Sequence, residues 1–369
     1  MKILILSESI AGSGHNRAAE NVAKGFKRHV PTADIKVDTS LTHVSPLLEK
    51  LSNKLYMGAI RHAAPIWGWA YRRDKEWSLM GKNVLKKYIA KKMIPYLEKE
   101  RPDIVVSTHA FCLGGLAELK SSYSFRLGAA LTDYWVNPFW IHDEIDAYFV
   151  GATSLKKKMI ADFGMDSERI HVTGIPIDPI FEQSRKQLEI REQHSVPQHA
   201  LFILVTGGGL GLLPYREILN GLSRVAYPLY VAVLAGTNQQ AKKDLEDYLV
   251  HNPFPHPVII MDYVNNIHEW MQSADLLIGK PGGLTVSEAL ASHLPMLIYK
   301  PIPGQEERNS QFLLAHEVGM RATGVDELTH RVTEFCLDED RSKRWRERIQ
   351  PFSKPSSAVE VGKIMLTVE

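Results

Sequence analysis

The chain has 369 residues, of which 44% are hydrophobic and 23% are charged, a globular composition long enough for two domains with separate cores. Its 44 lysines and arginines against 42 acidic residues give a net charge of +2, which indicates no nucleic-acid partner. The two cysteines, Cys112 and Cys336, exclude a disulfide framework and a cysteine-based metal site, and they favour a reducing, cytoplasmic setting.

No stretch approaches the roughly 20 apolar residues that a membrane span requires. The apolar run near the N-terminus is too short for the core of a secretion signal and is typical of a buried first strand. Any role at a membrane is therefore expected to be peripheral, on the inner face of the cell membrane.

The first half alternates strand and helix patterns, as in a parallel sheet built from βα units. The predicted strands are residues 2–7, 35–38, 103–108, 127–131, 147–150 and 171–174. The predicted helices are residues 14–28, a long helical region from about 46 to 99, and residues 153–163. Residues 1–180 are predicted to form a Rossmann-like, acceptor-binding domain, and the prolines and polar residues around 181–198 indicate a linker.

The second half restarts the same alternation over residues 199–352. Its predicted strands are residues 200–206, 229–234, 258–261, 276–278 and 296–299, with helices between them. Residues 353–369 are predicted to hold a C-terminal helix that can cross back to the first domain. The expected fold is α/β, with two doubly wound domains facing a central cleft, and ligands of such sheets bind at the carboxyl ends of the strands.

The turn after the strand at 276–278 is the most informative segment. Gly282 and Gly283 let the backbone approach a ligand, and the following helix offers unpaired N–H groups and the positive end of its dipole. Lys280 can add positive charge beside a phosphate, and Glu288 can accept hydrogen bonds from a sugar diol. The segment predicts a nucleotide-type ligand; the alternative is a plain turn with a solvated lysine and a core-edge glutamate.

Two further loops of the second half follow strand ends. The loop 207–211, which includes Gly208, either caps a phosphate, makes room for an acceptor or serves tight strand-to-helix packing. The prolines and glycine of residues 301–304 form a rigid turn. Gln305 and Glu306 then lie where sugar hydroxyls can bind, unless they only begin a solvated helix.

The first βα turn of the chain carries candidate catalytic residues. Gly12 and Gly14 begin like a dinucleotide fingerprint, but Arg17 occupies the third glycine position, so this signal is weak. The two glycines can instead admit an acceptor while His15, with a pKa near neutrality, acts as a general base; helix capping is the alternative. Asp133, at another strand end, can assist His15 or bind the acceptor hydroxyl, or else serve the proline turn that follows.

His109 follows the strand at 103–108 and is a weaker candidate of the same kind. The fifteen histidines show no metal-ligand spacing, and the acidic run 338–340 is typical of a solvated surface, so no metal site is predicted. The chain also lacks a nucleophile elbow and a Walker sequence.

Residues 54–99 form a basic and aromatic stretch with eleven lysines or arginines, three acidic residues, and Trp67, Trp69 and Trp77. Aromatic rings at headgroup depth and cations beside them are what an interfacial segment needs. The stretch predicts contact with an anionic membrane surface; the alternative is an ordinary packed helix pair with a basic outer face.

Together these motifs resemble the processive diacylglycerol glucosyltransferases of Gram-positive bacteria and the plant monogalactosyldiacylglycerol synthases, of glycosyltransferase family 28. The resemblance covers nearly the whole chain, and five motifs carry it, at residues 12–19, 132–142, 173–177, 280–289 and 301–306. Members have a two-domain GT-B fold, invert configuration at the sugar and use a UDP-sugar without a catalytic metal bound in the protein. Members often carry a histidine between the Thr-Asp pair and the tryptophan of the second motif, where this chain has Asn137 and Pro138.

The resemblance assigns roles to individual residues. Gly282, Gly283 and Thr285 are implied to hold the diphosphate. Glu288 is implied to bind the ribose, and Gln305 and Glu306 the donor sugar. The remaining implied contacts are a uracil-contacting turn that includes Tyr263 and Val264, His15 as the acceptor-activating base, and Trp140 in a loop that faces the acceptor.

The implied function is inverting transfer of a hexose from a UDP-sugar, as co-substrate and with no other cofactor, to a lipid acceptor such as diacylglycerol. Two alternatives stay open at this point. One is a UDP-sugar 2-epimerase of the same architecture, and the other is a non-catalytic nucleotide-sugar or lipid sensor.

Overall fold

The computed structural model describes residues 1–8, 14–45, 74–184 and 186–368. The chain divides into two compact units. The first contains Met1–Pro179, Pro303–Gln305 and Lys354–Glu369, and the second contains Ile180–Ile302 and Glu306–Ser353. Each unit has one six-stranded sheet with helices around it.

The sheet of the first unit is entirely parallel and has the order β2-β1-β3-β4-β5-β6. Its strands are β1 (Lys2–Ser7), β2 (Asp34–Thr39), β3 (Ile104–Ser107), β4 (Arg126–Ala130), β5 (Ala147–Phe149) and β6 (Ile170–His171). From β1 the chain first adds β2 on one side and then β3 on the other. The strand order therefore reverses between β1 and β3, and ligands of doubly wound sheets bind beyond such a switch point.

Six helices of the described residues accompany this sheet. They are α1 (Gly14–His29), α2 (Ser40–Val44), α3 (Asp74–Glu100), α4 (Ala110–Leu119), α5 (Thr153–Phe163) and, at the far end of the chain, α14 (Ser357–Thr367). The first part of the predicted helical region, residues 46–73, lies outside the described residues. Within the described part of the chain, no helix is both long enough and apolar enough to cross a bilayer.

Helix α14 closes the core of the first unit. Val361 and Met365 are fully buried in one cluster with Ile3, Phe26 and Phe149. The approach to α1 is close: a Cβ at Gly25 would lie 2.0 Å from the carbonyl oxygen of Ala358. The absence of a side chain at position 25 is therefore what lets the two helices touch.

A buried polar cluster holds the C-terminal end of α3 against the sheet. Glu100 accepts from the ammonium groups of Lys2 at 2.6 Å and Lys36 at 2.7 Å, and these two hydrogen bonds lower the pKa of its carboxyl to about 2. The hydroxyl of Tyr96 donates to Asp38 Oδ2 at 2.5 Å. One face of α3 is thus fixed to β1 and β2, which leaves its other face outward.

The sheet of the second unit is also parallel and has the order β12-β11-β10-β7-β8-β9. Its strands are β7 (Leu201–Thr206), β8 (Leu229–Leu234), β9 (Val258–Met261), β10 (Leu276–Gly279), β11 (Met296–Tyr299) and β12 (Gly319–Ala322). Here the strand order reverses between β7 and β10. Thr206 and Gly279, the last residues of these two strands, are paired in register, so the loops that follow them flank the switch point.

The described helices of the second part of the chain connect these strands. They are α6 (Gln187–Gln193), α7 (Tyr215–Leu222), α8 (Gln239–His251), α9 (Ile267–Ser273), α10 (Gly283–Ala291), α11 (Gln305–Ala315), α12 (Val325–Leu337) and α13 (Arg341–Ile349). Single 3-10 turns lie at Pro138–Trp140, Ser167–Arg169, Pro179–Glu182 and Gln350–Phe352.

Three local expectations differ from the structure. The interval 181–198, expected to be a linker, contains helix α6, whose Arg191 donates to the Ser273 carbonyl at 2.9 Å and to Asp275 at 2.7 Å. The strand expected at 171–174 is observed at Ile170–His171, and Gly174, three residues beyond its end, adopts a φ of +91°. The edge strand β12 was not predicted, since its residues form no apolar run.

Candidate active site

The switch point of the second unit carries the glycine loop that follows β7. Gly208 and Gly211 have φ angles of +71° and +59°, which favour glycine. The Tyr215 hydroxyl accepts from the N–H of Gly207 at 3.2 Å and donates to the carbonyl of Leu234 at 2.8 Å. The loop is therefore held in place by the first residue of α7.

The turn after β10 lies on the other side of the same switch point. Gly282 is the N-cap of α10 and Gly283 its first residue, and no side chain caps the helix. Asn309, fully buried on α11, donates to the Pro281 carbonyl at 2.9 Å and fixes the turn. A Cβ at Gly282 would meet only Thr285 Oγ1, at 3.9 Å, so the space in front of this N-terminus is open.

Lys280 adds a positive charge immediately before these glycines. Its ammonium has no ion pair or hydrogen bond within the described ranges of the chain. Burial lowers the pKa of Lys280, and the negative charge of Glu306 acts in the opposite direction. A part-buried, unpaired cation beside open N–H groups is an arrangement that an anion completes.

The other predicted donor contacts are distributed over neighbouring loops. Thr285 and Glu288 are part-buried in the first turns of α10. Gln305 and Glu306 begin α11, and Glu306 accepts from the N–H of Ile302 at 2.6 Å, so its carboxylate also stabilises the turn. Tyr263, 44% exposed, and Val264 follow the edge strand β9, two strands away from β7.

His15, on the second position of α1, lies at the switch point of the first unit. Its side chain is buried, and Nδ1 is 3.1 Å from the Thr108 carbonyl oxygen after β3 and 2.8 Å from Thr132 Oγ1 after β4. Burial lowers the pKa of His15, whereas the charge of Asp133 and the hydrogen bond to Thr108 raise it. The imidazole is thus held neutral, as a general base must be.

His109 packs edge-on against His15, with ring centroids 4.7 Å apart and an interplanar angle of 90°. It is the N-cap of α4, and its Nδ1 accepts from the N–H of Phe111 at 3.2 Å. Burial is the main cause that keeps the pKa of His109 well below its ordinary value, and the nearby ring of His15 is the second cause.

The remaining predicted acceptor contacts differ in their surroundings. Gly14 begins α1, and a Cβ there would meet nothing within 4 Å, whereas Gly12 lies outside the described residues. Trp140 is 6% exposed in a 3-10 turn that packs on α3 and α4, so most of its ring serves the core. Asn137 caps this turn by accepting from the N–H of Phe139 at 3.0 Å.

Sequence reasoning missed the residues that hold these groups. Thr108 and Thr132 fix the ring of His15, Tyr215 fixes the glycine loop, and Asn309 fixes the turn before α10. The sequence does show that Thr108 and Thr132 lie just beyond predicted strands. It does not show which strands adjoin β1, and so it could not place these two residues beside His15.

Among the described residues, no group of three or more histidine, cysteine, aspartate or glutamate side chains is arranged to hold a metal ion. The polar groups gathered at the two switch points include backbone N–H groups, a lysine, two imidazoles and the carboxylate of Asp133.

Comparison with known proteins identifies relatives of both halves of the chain. Residues 15–177 match the family model for monogalactosyldiacylglycerol (MGDG) synthase, and residues 202–356 match the glycosyltransferase family 28 C-terminal domain. A processive diacylglycerol beta-glucosyltransferase of Bacillus cereus is 29% identical over 363 residues, covering 97% of this chain and 91% of the relative.

Solved structures agree on the fold. MurG of Acinetobacter baumannii superposes with a TM-score of 0.67 at 14% identity, covering 99% of both chains. A UDP-GlcNAc 2-epimerase of Neisseria meningitidis gives a TM-score of 0.60 at 14% identity, covering 99% of this chain and 100% of the other.

The fold and these relatives define a glycosyltransferase of the GT-B class. More closely, the chain combines an MGDG synthase domain with a glycosyltransferase family 28 C-terminal domain, and it is a hexosyltransferase. The epimerase alternative shares only the fold, and the matching family models and sequence relatives favour neither it nor a sensor without activity.

Proposed function

We propose that this protein transfers a hexose from a UDP-sugar to the hydroxyl of a diacylglycerol-type lipid, with inversion at the sugar. The names of its sequence relatives support this substrate pair. The observation that carries the proposal is the unpaired Lys280 beside the open N-terminus of α10, at the switch point of a doubly wound sheet.

The donor role rests on charge. In transfer from a UDP-sugar, the bond from the anomeric carbon to the diphosphate breaks and its electron pair stays on a phosphate oxygen. The N–H groups that begin α10, the helix dipole and Lys280 stabilise the charge that grows there. We propose that these groups act without a metal ion bound by the protein.

The acceptor role rests on His15. Its unprotonated ring nitrogen takes the proton of the lipid hydroxyl, and the hydroxyl oxygen forms the new bond to the anomeric carbon as the diphosphate leaves. A single displacement of the diphosphate by the activated hydroxyl inverts the configuration at the anomeric carbon. Asp133, whose charge raises the pKa of His15, stabilises the imidazolium that results.

A lipid acceptor requires work at a membrane surface, and we propose that residues 54–99 provide the contact. The residues between 54 and 73 lie outside the described part of the chain. On the described C-terminal half of α3, the exposed residues are Lys87, Tyr88, Lys91, Lys92, Pro95, Glu98 and Lys99. Four exposed cations around a tyrosine that is 47% exposed suit an anionic surface, at about 1 kcal/mol for each cation.

The donor proposal is tested with Gly282→Ala. A methyl group fits at this position, because its nearest neighbour is 3.9 Å away and φ is −64°, but it occupies the space of the phosphate. Losing one charge-assisted hydrogen bond costs about 1.5–3 kcal/mol, so calorimetry should show UDP binding weakened by about ten- to a hundredfold. Transfer of sugar to diacylglycerol should fall in parallel.

Gly324→Ala is the matched control. Gly324 is also an N-cap glycine of the second unit, before α12, and its Cβ would likewise meet nothing within 4 Å. This variant shares the small capping cost of alanine but should bind UDP like the wild-type protein. Equal UDP affinities in the two variants would reject the site, and epimerised UDP-sugar without lipid product would reject the reaction.

A further inference from the structure

The imidazoles of His15 and His109, at the switch point of the first unit, contact different kinds of backbone group: His15 contacts a carbonyl oxygen and His109 an N–H group. Nδ1 of His15 lies 3.1 Å from the carbonyl oxygen of Thr108. A carbonyl oxygen only accepts hydrogen bonds, so an unprotonated Nδ1 would set two lone pairs against each other. Nδ1 of His15 therefore carries the proton, and in a neutral ring Nε2 is left bare. The Thr132 hydroxyl, 2.8 Å from the same nitrogen, shares this proton as a second acceptor.

His109 has the reverse constraint. Its Nδ1 lies 3.2 Å from the backbone nitrogen of Phe111, at the start of α4. A backbone N–H only donates, so this Nδ1 is unprotonated. A neutral His109 then carries its proton on Nε2. Burial, which lowers the pKa of both imidazoles, favours the neutral form of each.

We propose that His15 and His109 are held as opposite neutral tautomers, so that His15 offers a bare Nε2 as the base while His109 offers an Nε2–H group to the acceptor. Thr108 and Thr132 are the positioning residues for His15, and the N-terminus of α4 positions His109. The inference rests on the proposed function, because it divides acceptor recognition between the two rings.

The division specifies the class of acceptor. The reacting hydroxyl donates its proton to His15, so the N–H of His109 needs a different oxygen, close to that hydroxyl, which can accept. A glycerol ester with one free hydroxyl has such an oxygen on the neighbouring carbon. Among the residues that the structure describes, the charged or titratable groups that act on the pair are Asp133, which is acidic, and the two rings themselves.

The tautomers are measurable without any substrate. Nitrogen-15 spectra of histidine-labelled full-length protein distinguish a protonated from a bare ring nitrogen, and spectra of His15→Gln and His109→Gln protein assign the two rings. We expect a protonated Nδ1 on His15 and a protonated Nε2 on His109 above pH 7. The same tautomer on both rings, or a charged ring, would overturn the proposal.

Two substitutions at position 109 separate substrate binding from helix capping. His109→Asn keeps an oxygen near the Nδ1 position, and asparagine is among the best N-cap residues, but the distal N–H is gone. His109→Gln can present an N–H near the Nε2 position but caps poorly. If the N–H binds the acceptor, the Asn variant should lose about tenfold in kcat/KM for diacylglycerol while keeping its thermal stability. The Gln variant should be less stable yet more active than the Asn variant.

The opposite order, with Asn at least as active as Gln, would show that His109 only caps α4 and would overturn its role. Both variants should bind UDP with wild-type affinity, because the groups proposed to hold the diphosphate, Lys280, Gly282 and Gly283, belong to the second unit. Wild-type protein that neither binds UDP nor transfers sugar would defeat the proposed function instead, and the spectra would still decide the tautomers.

Discussion

The chemistry of His15 is set by what surrounds the ring. Burial lowers its pKa below the ordinary value of 6.5, and Asp133 acts against this effect. A base must be unprotonated, so activity should fall as the pH drops through the pKa of His15. The acid limb of the pH–rate profile is therefore expected below pH 6.5.

Asp133→Asn removes the charge that raises this pKa. The acid limb of kcat/KM should consequently move to lower pH in the variant, measured against the wild-type profile with the same acceptor. His15→Ala serves as the reference: it should lose about a hundredfold in activity, and its pH–rate profile should no longer show the acid limb. A limb that stays in place, or that moves to higher pH, would contradict the coupling of Asp133 to His15.

The positions of single residues at the edge of a sheet were predictable where a strand end precedes them. Gly282, His15 and Asp133 all follow predicted strands, and a parallel sheet brings such positions to one edge. Their partners were not predictable in the same way. The bond from His15 to Thr108 depends on β3 adjoining β1, and this neighbour is fixed by a crossover of more than 60 residues after β2.

At the scale of elements, the crossing of α1 and α14 depends on two glycines. Gly25 faces the Ala358 carbonyl, and a Cβ at Gly362 would lie 3.1 Å from the backbone of Gly25. The backbones of the two helices are in contact at this crossing. An added methyl group would therefore clash with backbone atoms, and no side-chain rotation can relieve that clash.

Gly25→Ala should therefore destabilise the protein by about 3 kcal/mol, because the helices must separate. Gly14→Ala is the control on the same helix: its added methyl group meets nothing within 4 Å, and alanine favours the helix. Urea unfolding followed by far-ultraviolet circular dichroism measures both. Equal midpoints in the two variants would show that this crossing is not close in solution.

Predicted elements agreed with the structure both where they have strong apolar runs, as in β7 and β8, and where the pattern is mixed, as in β2 and α5. All five strands expected in the second half are present, as is the helix at 153–163. The misses have physical causes. β12 is an edge strand with Arg321 and little apolar surface, and α6 is a short polar helix that is stabilised by the buried contact of Arg191 with Asp275.

For the whole molecule, the net charge does not show how the charged side chains are distributed over the surface. The net charge is only +2, yet the outward face of α3 carries Lys91 and Lys92 next to each other, without ion pairs in the described part of the chain. The opposite face is fixed through Glu100, so the basic surface cannot turn inward without breaking that cluster.

Charge reversal tests this surface. The double variant Lys91→Glu and Lys92→Glu should bind phosphatidylglycerol vesicles at least about tenfold more weakly in flotation at low salt. Lys157→Glu with Lys158→Glu, on the exposed side of α5, makes the same change in charge elsewhere on the first unit and should bind normally. If both pairs lose binding equally, net charge rather than this surface is responsible.

Because α14 supplies one wall of the first core, the two units cannot mature in the order in which they are translated. The ribosome finishes residue 179 long before it reaches Val361, and at about 5–20 residues per second the remainder takes roughly ten to forty seconds. Through that interval the nascent first unit keeps an unfilled apolar groove, while the second unit can already be complete. Newly made chains are therefore most vulnerable to aggregation in their N-terminal half, and that half cannot be produced by stopping the gene at residue 179.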